Sequence, residues 1–247
     1  MISNCGHDEN KKYTGGAAGD QTGTEWALIK WYKRPWKCVL RYPDESVRKK
    51  IAELAAAAAK NDKIGYDQGQ RGTFWTQLVK SSYDPAKIII PCEADCSSGV
   101  AAVVKATGYL LNITALKNTS AALTTSGMRA AFKKAGFSVL TDSKYLTSDA
   151  YLLAGDILLN DGVHTAINVT DGTKAASSTN TVNSAYYPVP CYSGSSIVEA
   201  LASIGVGNTK AFRTKIAQAN GISGYTGTAA QNTKLLNLLK NGKLIKI

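Results

Sequence analysis

The hydrophobic pattern changes period along the chain. Behind Asp44-Glu45-Ser46, the residues Val47, Ile51, Leu54, Ala55 and Ala58 form an i, i+4, i+7 stripe. An acidic start followed by that spacing predicts a helix ending near Asn61. Gly65-Tyr66-Asp67-Gln68-Gly69 reads as a turn-rich stretch, and Thr73 to Ser81 as a second, short helix. Ile88-Ile89-Ile90 before Pro91 reads as a short extended approach. Val100, Ala101, Val103 and Val104 then recur at helical spacing over Ser97 to Thr107, which leaves Cys96 at a helix N-terminus. Thr125 to Ala135 is a further helix, and Phe137 to Thr141 a strand entering a loop.

From Asp156 the pattern becomes that of strands and tight turns. Asp156-Ile157-Leu158-Leu159, the turn Asn160-Asp161-Gly162, His164 to Val169, the turn Asp171-Gly172 and a Ser, Thr and Asn run from Ser177 to Ser184 read as antiparallel strands. Residues 1–44, with Gly15, Gly16, Gly19 and Gly23 and then Trp26, Trp31, Tyr32, Trp36 and Tyr42, read as loops around a short helix near Glu25 to Tyr32. Trp26, Trp31, Trp36 and Trp75 are expected to pack inside rather than to form a carbohydrate platform. Helices first and strands after imply an α+β fold. Pro188 to Ser196 reads as a linker. Beyond it, Ile197 to Ile204, Thr209 to Ala219 and Ala229 to Leu239 are three short helical patterns. The expected division is a domain over 1–190 and a small helical module over 191–247.

Composition narrows the functional classes. With 247 residues and 44% apolar content the chain buries a real core. No apolar run reaches the eighteen or so residues needed to span a bilayer, and Met1 to Lys30 is polar, so neither a signal peptide nor a membrane anchor is expected. The chain is expected to be made in the cytoplasm. A formal net charge of +11 predicts an anionic partner. The lysines are scattered rather than blocked, which argues against a nucleic-acid-binding tail. Five cysteines form an odd set, so at least one thiol stays unpaired. Cys92 could pair with Cys96, though nothing requires it. Two histidines, His7 and His164, are too few for a structural zinc site with these cysteines, and no metal or cofactor is expected.

The chemistry centres on Cys96 and His164. A helix N-terminus favours thiolate over thiol, and a neutral imidazole accepts the thiol proton and returns it to a leaving amine. An imidazole needs an orienting partner, and Asn168 shares the face of the strand with His164 by period 2. Asp171, Ser177 and Asn180 are alternatives. His7 is expected in an exposed N-terminal segment; the alternative folds that segment over the cleft, with Asp8 or Glu9 gripping a substrate amine. Asp156 is expected to turn the backbone and do no chemistry.

Asp95-Cys96-Ser97-Ser98-Gly99-Val100 resembles the Asp-Cys-Ser-Gly nucleophile motif of the NlpC-type, papain-like peptidoglycan peptidases, with one extra serine. Gly155-Asp156-Ile157-Leu158 and Gly162-Val163-His164-Thr165-Ala166-Ile167 resemble that family's Gly-Asp strand and histidine strand, and Gly65-Tyr66-Asp67 its upstream Tyr element. CHAP amidase-peptidases share this chemistry. The resemblance implies a papain-like fold and cleavage of an amide bond in the peptidoglycan stem peptide, by an endopeptidase or an N-acetylmuramoyl-L-alanine amidase. The reaction passes through a thioester, with Cys96 and His164 catalytic and Tyr66, Asp95 and Ser97 beside the substrate. The family's third polar residue follows the histidine strand, a place occupied here by Ala175, Ala176 and Ser177. The C-terminal run around Gly224-Tyr225-Thr226-Gly227 resembles a module appended to phage and Gram-positive wall hydrolases. The whole resembles a phage endolysin, with peptidoglycan and anionic wall polymers as partners and the cell wall as its place of action. The competing reading is a non-catalytic wall-binding or structural phage protein that kept the fold.

Overall fold

The computed structural model describes residues 1–19, 25–178, 185–187, 189–190, 192, 194–204 and 206–247. The chain divides into two compact units, Met1–Ser178 and Thr179–Ile247. In the first unit the strands are β1 (Ile2–Cys5), β2 (Trp26–Ile29), β3 (Cys38–Arg41), β4 (Ile64–Tyr66), β5 (Cys92–Ala94), β6 (Ser138–Leu140), β7 (Ile157–Asn160) and β8 (His164–Asn168). The helices are α1 (Glu45–Ala58), α2 (Thr73–Lys80), α3 (Cys96–Leu110), α4 (Thr114–Lys117), α5 (Thr125–Lys134), α6 (Ser143–Leu146) and α7 (Thr173–Ser178). Six strands form one antiparallel sheet in the order β2-β1-β8-β7-β3-β6, and β4 and β5 form a separate parallel pair. The architecture is a mixed α+β one.

The central strands are buried on both faces. Cys38, Leu40, Ile157, Leu159 and Ile167 join the main core, which also holds α1 and α3, while Val39, Leu158 and Ala166 join a second cluster with Ile2 and Trp36 on the other face. A strand covered on both sides needs no polar alternation, which is why Ile157-Leu158-Leu159 is uniformly apolar. Helix α3 is buried along most of its length. At Gly99 a Cβ would stand 2.9 Å from the Trp26 ring, so only glycine lets the helix approach that strand. Trp26 is held there by donating from Nε1 to Ser3 Oγ (2.7 Å), and Ser3 Oγ donates to the Ala55 carbonyl (2.8 Å).

Three local expectations are corrected. Residues 1–44 supply three strands, and Trp26–Ile29 is β2 rather than helix, because a four-residue apolar segment carries no decisive period and its antiparallel pairing with β1 decides the matter. Strands therefore come first as well as last. The Ser and Thr stretch expected as a strand begins instead in α7, and Thr179 to Ser184 lie outside the described residues. Gly65 and Tyr66 lie in β4 rather than in a turn.

The second unit contains α8 (Ile197–Ser203), α9 (Lys210–Ala219) and α10 (Ala229–Lys240), capped by Ser196, Thr209 and Thr228. Ala200, Leu201, Ile216, Leu235, Leu239 and Leu244 form its core. Tyr187 donates its backbone N–H to the Leu244 carbonyl (2.7 Å), which ties the tail to the segment before α8. Pro188, Cys191 and Ser193 of the expected linker lie outside the described residues.

The Gly155-Asp156 pair anchors β7 and β8. Gly155 takes φ +87°, and a Cβ there would stand 2.1 Å from the Arg48 carbonyl oxygen. Its N–H donates to the Asn168 carbonyl (2.8 Å), and Asn168 N–H donates to the Asp156 carbonyl (2.7 Å). The Asp156 carboxylate is fully buried, accepts from Arg41 Nε (2.8 Å), Arg41 Nη2 (2.6 Å) and Leu153 N–H (2.8 Å), and so organises backbone. Gly155→Ala combines a left-handed φ with a backbone clash, so a loss of about 3 kcal/mol or more is expected, read as a lowered denaturation midpoint with an unchanged slope.

Candidate active site

Asp95 builds the turn that presents Cys96. It is the N-cap of α3: its Oδ1 accepts from the N–H groups of Ser97 (2.9 Å) and Ser98 (2.7 Å), while Ser98 Oγ accepts from Asp95 N–H (2.9 Å). The extra serine of the motif thus completes a capping box. Arg71 Nη2 donates to Asp95 Oδ1 (3.2 Å) and Ser97 Oγ (2.9 Å), and Ser97 Oγ donates to Asp95 Oδ1 (2.9 Å). Asp95 and Ser97, expected beside the substrate, are buried with their polar atoms committed to this cap.

His164 opens β8 directly after the turn 161–163, and α3 packs against that strand. Arg129 Nε donates to Asp161 (2.9 Å) and fastens the turn to α5. The imidazole is 5% exposed and stacks on Trp36, with ring centroids 6.1 Å apart and planes at 30°. Its Nε2 lies 2.8 Å from Asn4 Oδ1. An amide oxygen only accepts, so Nε2 carries the proton and Nδ1 keeps its lone pair. Tyr32 O–H donates to the same oxygen (3.4 Å), and Arg34 Nη1 donates to the Tyr32 hydroxyl (3.2 Å).

The side chain that meets the imidazole Nε2 is thus Asn4, whereas Asn168, expected to orient the ring, bonds elsewhere. Asn168 is fully buried and donates from Nδ2 to the carbonyls of Leu153 (2.8 Å) and Thr170 (2.6 Å), one strand length away from His164. Of the alternatives, Asp171 accepts from Ala154 N–H (2.8 Å). The side chain of Ser177 and the whole of Asn180 lie outside the described part of the structure. β1 lies antiparallel to β8, with Ser3 opposite Ile167, so the next residue along, Asn4, reaches the imidazole from the neighbouring strand.

Cys96 and His164 line one cavity of about 540 Å³, together with Asn4, Tyr66, Gln68 and Arg34. Gln68 Nε2 donates to the Tyr66 hydroxyl (3.3 Å). His7 also lines it and donates from Nδ1 to the Asp8 carbonyl (2.9 Å), so the N-terminal segment borders the cleft. Asp8 is buried, and its carboxylate accepts from Asn10 N–H (3.1 Å) in a turn. Among the described residues lining the cavity there is no carboxylate, and Asp8 and Glu9 stand outside that lining. Gln68 and Arg34 were not singled out from sequence, where each stands in a polar loop without a periodic signal.

The electrostatics reverse one expectation. The N–H groups of Ser97 and Thr165 favour the Cys96 thiolate, but burial first and the Asp95 charge second push the thiol up to about 11. Desolvation outweighs the helix terminus. Burial and then the Arg34 cation push His164 down to about 4, against the opposing pull of Asp95. Around neutral pH the two therefore rest as an uncharged thiol and an uncharged imidazole.

The family model of an endolysin-like domain matches residues 2–175. The chain belongs to the endolysin-like domain family. That family points to a phage-type hydrolase acting on the bacterial cell wall, with peptidoglycan as substrate. No curated protein and no solved structure is matched by the chain. The match begins at β1, so the strand bearing Asn4 is an integral part of the endolysin-like domain, and it ends within α7. Among its described residues no group of three or more His, Cys, Asp or Glu side chains is placed to hold a metal ion, and no helix is long and apolar enough to cross a membrane. Cys5, Cys38, Cys92 and Cys96 are free thiols, and Cys191 lies outside the described residues.

The raised Cys96 thiol gives a direct check on the resting state. Alkylation of Cys96 by iodoacetamide, followed by peptide mass spectrometry, is expected to be slow at pH 7 and to climb steadily beyond pH 9 toward about 11. A reactivity plateau already present near pH 6 indicates a preformed thiolate instead.

Proposed function

We propose that the endolysin-like domain hydrolyses an amide bond of the peptidoglycan stem peptide through Cys96, with a papain-like arrangement of nucleophile, base and orienting amide. The observation that carries this reading is the wall of the single cavity that holds Cys96 and His164, with the imidazole Nε2 fixed on Asn4 Oδ1 at 2.8 Å. His164 Nδ1 takes the proton from Cys96 Sγ as the sulfur attacks the scissile carbonyl carbon. The imidazolium then gives that proton to the leaving nitrogen, and the C–N bond breaks to leave a thioester. Water attacks the thioester with the imidazole again as base, which releases the carboxylic acid and restores the thiol.

A neutral resting pair suits this sequence, because the imidazole holds no proton until the attack begins. The Cys96 backbone N–H, which is not part of the Asp95 cap, and the Gln68 amide supply donors for the developing oxyanion. Asn4 acts through His164 and is a positioning residue. It holds the tautomer and the ring plane while the proton moves.

The second unit is read as a wall-attachment module. Between Thr179 and Ile247 stand Lys210, Arg213, Lys215, Lys234, Lys240, Lys243 and Lys246 against the single acidic residue Glu199. That imbalance suits the anionic polymers of the wall, and tethering raises the effective concentration of enzyme at its substrate.

Cys96→Ala is expected to abolish the clearing of purified Gram-positive walls, and Asn4→Ala to lower kcat by about 10²-fold with little change in KM. Turbidity loss with mass spectrometry of the released fragments checks both and names the bond; full clearing by Cys96→Ala removes the proposal. The acid limb of the pH–kcat/KM profile is expected to lie well below the ordinary imidazole range, toward about 4, because His164 stays an uncharged base down to that pH.

A further inference from the structure

The arginines of the first unit differ in how they are neutralised. Arg41 is paired with Asp156, Arg71 with Asp95 and Arg129 with Asp161. Arg48 donates to the carbonyls of Tyr42 (2.9 Å) and Pro43 (2.7 Å). Arg34 has one hydrogen bond, to the Tyr32 hydroxyl, and no carboxylate partner among the described residues. It lines the cavity beside His164 and is the one permanently charged side chain among the described residues of that wall. The other polar groups there are neutral amides and hydroxyls, the thiol and the two imidazoles.

This placement carries a cost. The groups acting on the His164 imidazole are Arg34, which disfavours its protonation, and Asp95, which favours it; Trp36 and Tyr32 add uncharged surface, and His7 and Tyr66 share the cavity. A cation that weakens the base and that no carboxylate among the described residues neutralises has a reason to be there if an anion arrives from outside. A guanidinium presents its donors in a planar fork that matches a carboxylate in two-point contact.

We propose that Arg34 forms a carboxylate subsite: the domain takes substrates bearing a free carboxylate next to the scissile amide, and that carboxylate binds the Arg34 guanidinium and neutralises it. The inference rests on the reading of the cavity as a peptide-hydrolysing site and adds the charge of its substrate. The stem peptide of peptidoglycan carries such carboxylates, some of which occur as carboxamides, so the subsite discriminates between these two chemical forms of the same wall.

The test uses matched stem peptides that differ only in a carboxylate or carboxamide beside the scissile bond. Binding is measured calorimetrically to the full chain carrying Cys96→Ala, and hydrolysis to the full chain with Cys96 intact. The expected result is at least about tenfold tighter binding and higher kcat/KM for the carboxylate peptide. In Arg34→Gln this preference disappears, and in Arg34→Lys part of it is kept. With the carboxylate peptide the acid limb of the kcat profile moves to higher pH than with the carboxamide peptide, a displacement that Arg34→Gln removes. Equal binding and turnover of the two peptides, no binding of either, or a preference that survives Arg34→Gln overturns the subsite. Hydrolysis that persists in Cys96→Ala overturns the thiol mechanism instead, so the two failures are separable. Circular dichroism of each variant excludes misfolding as the cause of a lost preference.

Discussion

The antiparallel seating of β1 beside β8 is the constraint on which the site depends. Two short strands whose residues Asn4 and His164 are 160 positions apart lie side by side in the sheet, and their pairing sets the distance from the Asn4 amide to the imidazole. Every other feature of the base follows from that junction. Nε2 is committed to Asn4, Nδ1 is left as the acceptor, and the ring is held flat against Trp36. On the opposite side Asp95 performs the matching task for Cys96 by closing the first turn of α3 with its own carboxylate and the Ser98 hydroxyl.

Much of this was legible in the residues, but unevenly. The helices α1, α2, α3 and α5 follow from apolar spacing, because their stripes are long enough to define a period. The turn before His164 follows from Asp161-Gly162. The first three strands do not follow. Each is only four residues long, and Cys38-Val39-Leu40-Arg41 or Trp26-Ala27-Leu28-Ile29 fits a helix or a strand equally until a partner is known. The same gap hid Asn4. Period 2 correctly places Asn168 on the face of His164, but a side chain two positions removed on that face points past the ring, whereas a neighbouring strand brings its own residue directly alongside. That neighbour is contributed by the start of the chain, which no local pattern around His164 can reveal.

The same comparison explains the charge states. A cysteine at a helix terminus reads as activated when only the helix is considered. Burial at 8% exposure and an adjacent carboxylate engaged in capping are three-dimensional facts, and they outweigh the few oriented N–H groups. Asp95 thus has two opposed effects: it shapes the turn that places Cys96 on the cavity wall, and it discourages ionisation of the sulfur. The imidazole shows a parallel opposition between Arg34 and Asp95. The resting site therefore holds an uncharged thiol and an uncharged imidazole on one cavity wall.

Dividing the cavity wall between the first strand and the last of the sheet also sets an order in time. Asn4 precedes Cys96 by some ninety residues, and the wall that holds both together with His164 is complete only once β8 has docked against β1. Closure over so long a loop is a late and slow event in folding. Partly made or nicked chains that lack either strand therefore lack the Asn4–His164 contact, and under the proposed mechanism their thiol has no oriented base.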